Sequence, residues 1–116
     1  MLQRVVEVSS RDTGTLADRV IKATEEVGEI AAGYGSFSGY KVPKKDMTKS
    51  KALENVKEEC IDTMIVLFDI LTRDFGMSDE DINDLFLQKC NAWEGVVRRK
   101  EINASNDDTE RRFLAE

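Results

Sequence analysis

TLADRVIKATEEVGEIAAGY, residues 15–34, decides the fold. Thr15 followed by Asp18 matches a capping box, the pattern that opens a helix by satisfying two orphan backbone donors reciprocally. Leu16, Val20, Ala23, Val27, Ile30, Ala31 and Tyr34 then recur as one apolar stripe at helical spacing. At ~100° per residue, Glu26 and Glu29 fall beside and behind that stripe and Glu25 lies almost opposite it. Glu26 is therefore the acid nearest the core. Three carboxylates within one turn repel one another, so the helix gains from them only if something positive sits between.

A second acid cluster, Glu58-Glu59-Cys60-Ile61-Asp62, lies in a helix predicted from about Lys51 to Asp74 and ended by Phe75-Gly76. Leu53, Val56, Cys60 and Leu67 form its stripe, but from Ile61 to Leu71 nearly every side is apolar. A helix apolar all round is buried in its assembly, which predicts that the chain self-associates as a dimer or tetramer. Relative to the stripe, Glu59 and Asp62 take nearly the offset that Glu26 and Glu29 take on the first helix. Two i, i+3 acid pairs are expected to face each other. No Lys or Arg follows these four acids at i+3 or i+4, and Lys22 precedes Glu26 in the less favourable orientation. A single acid cluster is more often a solvated face than a site, but two clusters beside apolar stripes favour a metal. Oxygen ligands alone, in a chain with no histidine, select a hard cation: Mg²⁺, with Mn²⁺ as a substitute.

The rest of the chain bounds the reading. Its 116 residues suit one domain, with a core over about 15–100 and a polar, flexible tail over 101–116. The segment to Gly14 is read as a short helix. After Gly33 a loop of roughly fifteen residues, to about 49, is expected; its Phe37, Tyr40, Lys41, Lys44 and Lys45 suit bases and phosphates, and a binding loop and a plain linker are equally open readings. Ser78 with Asp79, Glu80 and Asp81 is a strong helix start, and that helix is expected to end near Lys100. Cys60 and Cys90 read as reduced core thiols. The net charge of −6 disfavours a nucleic-acid polymer or an anionic membrane as partner, and the longest apolar block, Met64 to Phe68, is too short to span a bilayer. A cytoplasmic protein is expected. The missing histidine excludes His-based acid–base and nucleophile dyads.

Lys22-Ala-Thr-Glu25-Glu26-Val-Gly-Glu29, followed by Glu58-Glu59-Cys-Ile-Asp62 and Met-Ile-Val-Leu-Phe, resembles the MazG-like all-α nucleoside triphosphate pyrophosphohydrolases, whose signature is EExxE followed by ExxD. The resemblance covers about residues 15 to 100. It implies an all-α protomer whose four-helix-bundle core is completed by oligomerisation, and Mg²⁺-dependent hydrolysis of a (d)NTP to (d)NMP and pyrophosphate. Carried over by position, Glu26, Glu29, Glu59 and Asp62 are the metal ligands, and Glu25 and Glu58 are catalytic or orienting acids. Lys22, Lys89, Asn91 and Trp93 are candidate substrate contacts. This chain departs from the family where an Asn is usual four residues after a Lys: here Lys89 is followed by Trp93, with Asn91 two positions early. The bland reading of Trp93 is a core or interface residue. Ile61 also stands where a small residue is usual. The alternatives are a phosphoribosyl-ATP pyrophosphatase-like enzyme and a non-catalytic helical interaction module.

Overall fold

The computed structural model describes residues 2–39 and 48–115, and among these the chain is helical with no strand. Helix α1 spans Leu2–Ser9, α2 Leu16–Ser38, α3 Lys49–Asp69 and α4 Asp79–Ala115. A π-helical turn, Ile70–Asp74, continues α3. The chain divides into two compact units, residues 1–77 and 78–116, so that α1 to α3 form the first and α4 the second.

Local chemistry sets most boundaries. Thr15 caps α2 as expected: Asp18 N–H donates to its hydroxyl at 3.2 Å, and Thr15 N–H donates to the Asp18 carboxylate at 2.9 Å. Ser78 and Asp81 make the same reciprocal pair before α4. Thr48 caps α3, which starts at Lys49, two residues before the expected Lys51. At the far end Gly76 is left-handed (φ 61°), and Met77 N–H returns to the Leu71 carbonyl at 3.0 Å, closing the helix where Phe75-Gly76 predicts.

Helix α2 overruns its expected end, and residues 34–38 are helical rather than loop. The cause is tertiary. A Cβ built on Gly33 would stand 2.9 Å from Val56 Cγ2, so glycine here lets α3 come close, and Ala52 opposite is fully buried. Packing gained at this crossing offsets the helix-interior cost of glycine, about 1 kcal/mol. Gly39, left-handed at φ 77°, ends the helix instead. Phe37, expected in a loop, lies on this last turn with its ring 6.5 Å from Tyr34. Tyr40, Lys41, Lys44 and Lys45 fall outside the described residues.

Helices α2 and α3 run antiparallel, since Gly33 meets Val56 while Arg19 meets Asp74. Arg19 is buried and holds Asp74 through two bonds, Nε at 2.7 Å and Nη2 at 2.5 Å, while its Nη1 donates to the Gly14 carbonyl at 2.7 Å. Arg73 Nη1 donates to the Ser9 carbonyl at 2.7 Å, and the Ser9 hydroxyl donates to Asp69. This network ties α1 to α2 and to the π-helical turn.

Helix α4 continues to Ala115, where the sequence suggests a flexible tail from 101. Ion pairs one turn apart, Arg98–Glu94 at 3.0 Å and Arg112–Asp108 at 3.6 Å, support its length. The basic Arg98-Arg99-Lys100 run is one polar turn among several, not a terminus. Several apolar side chains of α3 stay open: Ile61 is 56 % and Ile65 47 % exposed. Cys60, read as a core thiol, is exposed for the same reason, and both cysteines are free. Among the described residues no helix is long and apolar enough to cross a membrane.

Candidate metal centre

Glu26 is the buried acid of α2, as expected, but on a face shared with Arg19, Ala23, Ile30 and Gly33, while Val20, Val27, Ala31 and Tyr34 of the expected core stripe are exposed. Glu26, on α2, is 4 % exposed; Glu29 is exposed one turn later, and Glu59 faces them from α3, half-buried. One carboxylate oxygen from each lies within 4.8 Å of the other two. Three of the four expected ligands thus converge. Asp62 sits one turn beyond Glu59, exposed, and is not part of the set. Glu25 and Glu58 are also exposed and outside it, so two facing i, i+3 pairs are replaced by a pair on α2 facing a single acid on α3.

The positive charge missing from the sequence argument is Lys22. Its ammonium lies 3.0 Å from Glu26 Oε1 and 3.8 Å from Glu25 Oε2. The orientation rule that discounts it describes exposed pairs on isolated helices; here the acid is buried, and the lysine reaches it from a half-exposed position. With both acids ionised, Glu26 Oε2 and Glu59 Oε2 are buried and, among the described residues, reached by no donor, so only a proton shared between the two acids can meet them.

Two carboxylates facing each other at the edge of a core cannot both ionise cheaply. Glu59 yields: Glu26, then Glu29 and burial, push its carboxyl up to about 8. Glu26 keeps its charge, held below the usual range by hydrogen bonding with Glu59 and then by Lys22. Lys22 is raised in turn, chiefly by its bond to Glu26. In chemical terms this is a cage of oxygens short of positive charge, which one ammonium and one proton only partly supply. A divalent cation fits that deficit: the donors are all oxygen, and two buried ones have no partner beyond that proton.

Beside Glu29 and Glu59 a cleft of about 390 Å³ opens between α2 and α3, lined further by Ala32, Gly33, Ser36, Ala52 and Asn55. The sequence reading passed over these residues. Their signal is spacing: Gly33 and Ser36 follow Glu29 by four and seven, and Asn55 and Ala52 precede Glu59 by four and seven, so each set shares a face with its acid. Antiparallel packing brings the two faces together.

Lys89, Asn91 and Trp93 lie on α4, all exposed. Trp93 is 70 % exposed and so is not a core residue of this chain. No family model, curated protein or solved structure matches the chain.

Proposed function

We propose that this chain is a Mg²⁺-dependent nucleoside triphosphate pyrophosphohydrolase of the MazG-like kind, cleaving (d)NTP to (d)NMP and pyrophosphate, with Mn²⁺ as a substitute metal. The observation that carries the reading is the convergence of Glu26, Glu29 and Glu59 beside an open cleft, with two buried carboxylate oxygens lacking any partner but a shared proton. Lys22 and one proton offset only part of the charge of these three acids, and a divalent cation would offset the rest.

In this reading Glu26, Glu29 and Glu59 hold the cation, with Asp62 as the fourth ligand by its place in the motif. A bound Mg²⁺ supplies charge neutralisation for a triphosphate and for the phosphoryl oxygens as they transfer. Glu25 and Glu58, at the exposed rim, orient ligands or take the proton of the attacking water. Lys22 meets phosphate oxygen. The cleft beyond Glu29 and Glu59 admits the rest of the nucleotide; Lys89, Asn91 and Trp93 are candidate substrate contacts on the resemblance alone. The working form is a homo-oligomer in the cytoplasm, and the uncovered apolar face of α3 supports that part.

The test is pyrophosphate release from a panel of natural and modified nucleoside triphosphates, with phosphoribosyl-ATP as a separate substrate, comparing wild type with Glu59→Gln. Gln is a close mimic of the protonated Glu59 of the metal-free protein, so this variant should keep its fold by circular dichroism and lose activity. Equal inactivity of two folded proteins would leave the interaction-module reading; activity on phosphoribosyl-ATP alone would select the other enzyme.

A further inference from the structure

We infer that Lys22 is a tethered counterion of the carboxylate centre, occupying Glu26 when no metal is bound and displaced from it when a divalent cation binds, which frees its ammonium for an anionic ligand. The inference rests on the metal-centre reading above and concerns what this chain's own lysine does there.

The geometry is asymmetric. The Glu26 side chain is 5 % exposed and fixed against α3, whereas the Lys22 side chain is 54 % exposed and sits one turn nearer the start of α2. One partner is an anchor and the other an arm with water on its open side. The ammonium engages only Oε1 of Glu26, at 3.0 Å, and has Glu25 Oε2 as a second stop at 3.8 Å. The other Glu26 oxygen, Oε2, is buried without a donor, and Glu59 contributes a second such oxygen within the cluster. The centre is thus partly neutralised from its solvent side by the ammonium, while its inner oxygens have no partner among the described residues beyond a proton shared by the acids themselves.

A dication held by Glu26, Glu29 and Glu59 would share Glu26 with the ammonium, and like charges a few ångströms apart repel even through water. Lys22 leaves at little cost, because an exposed lysine recovers its hydration and its rotamer freedom. Glu25, exposed at the rim, offers it a place beside the centre. From there the ammonium faces whatever anion the cation draws in. Removing the lysine should therefore strengthen binding of the bare metal and weaken binding of a metal-bound polyphosphate; a lysine that merely stabilises α2 would do neither.

The experiment uses the full chain without nucleotide and follows free Mn²⁺ by electron paramagnetic resonance. Lys22→Met, which keeps helix propensity and removes the charge, should bind Mn²⁺ more tightly than wild type by at least roughly two- to five-fold, the span of an exposed ion pair, since Glu26 is buried. Lys22→Arg should bind like wild type. With Mn²⁺ saturating, inorganic tripolyphosphate should bind Lys22→Met more weakly than wild type. Equal or weaker Mn²⁺ binding by Lys22→Met overturns the inference while the metal centre stands. Absence of Mn²⁺ binding by wild type overturns both. Tighter Mn²⁺ binding with unchanged tripolyphosphate affinity overturns the release of the ammonium to an anion.

Discussion

The proton on Glu59 makes the metal-free protein sensitive to pH, and the sign follows from the direction of its shift. Its carboxyl titrates at about 8 in the folded chain against an ordinary 4.5, so between those values the native state holds a proton that the unfolded chain has released. Stability therefore falls as pH rises through that window. Glu26 and Asp74, both held low, act the opposite way and contribute stability that is lost only as pH drops into the acid range. In EDTA the melting temperature should decline from about pH 4.5 to about 8, and Glu59→Gln, which cannot ionise, should flatten that decline. Adding Mg²⁺ should raise the wild-type melting temperature, increasingly so towards pH 8, because binding must expel the proton and acts on the native state alone. An unchanged profile in Glu59→Gln would place the proton elsewhere. How far single residues were legible follows the same physics. The Lys22 pairing was visible as an i, i+4 spacing within α2 and was discounted only by a rule for exposed pairs; the exclusion of Asp62 depends on how α3 lies against α2, which no spacing records.

The same division runs through the elements. The two capping boxes, Thr15 with Asp18 and Ser78 with Asp81, were legible because each is closed within four residues. Thr15→Ala should cost ~1 kcal/mol in urea unfolding, the usual value of a lost cap, since Asp18 N–H loses its acceptor. Helix α2 beyond Gly33 was not legible, because glycine reads locally as a breaker and only the approach of Val56 makes it the residue required. Gly33→Leu separates the two accounts. Leucine favours helix, so a local view has the variant gain stability; the 2.9 Å approach predicts overpacking instead. The expected outcome is a loss of about 1–3 kcal/mol with helix content kept. A stabilised Gly33→Leu would mean that the crossing is looser than described. The length of α4 was missed for a milder reason: its last turns hold only scattered, exposed apolar residues, Ile102, Phe113 and Leu114, and rest on pairs such as Arg112–Asp108, so they carry no continuous apolar stripe to read.

At the scale of the molecule, the chain buries very little. Among the described residues only Ala52 and Ile82 are buried apolar side chains, while Ile61, Met64, Ile65 and Leu67 on α3 and Val20, Ile21 and Val27 on α2 keep 40 % or more of their surface exposed. Covering a half-exposed aliphatic side chain yields on the order of 1 kcal/mol. The four α3 residues alone would therefore give on the order of 4 kcal/mol, at the lower end of what association costs. An interface confined to them would be weak; one that also takes in α2 residues would hold. The proposed association would give the apolar Ile61–Leu71 segment a cover outside the single chain. Sedimentation across a concentration series should find the wild type as a dimer or larger. Ile65→Glu, which sets a charge in that face at a position the isolated chain leaves half open, should shift it to monomer with its helix content intact. Because Glu59 lies on the same helix less than two turns away, loss of the partner should also lower the melting temperature in Mg²⁺ more than in EDTA if association helps hold the metal centre, and equally in both if it does not. A wild type that sediments as a monomer throughout would leave the α3 face without its proposed cover.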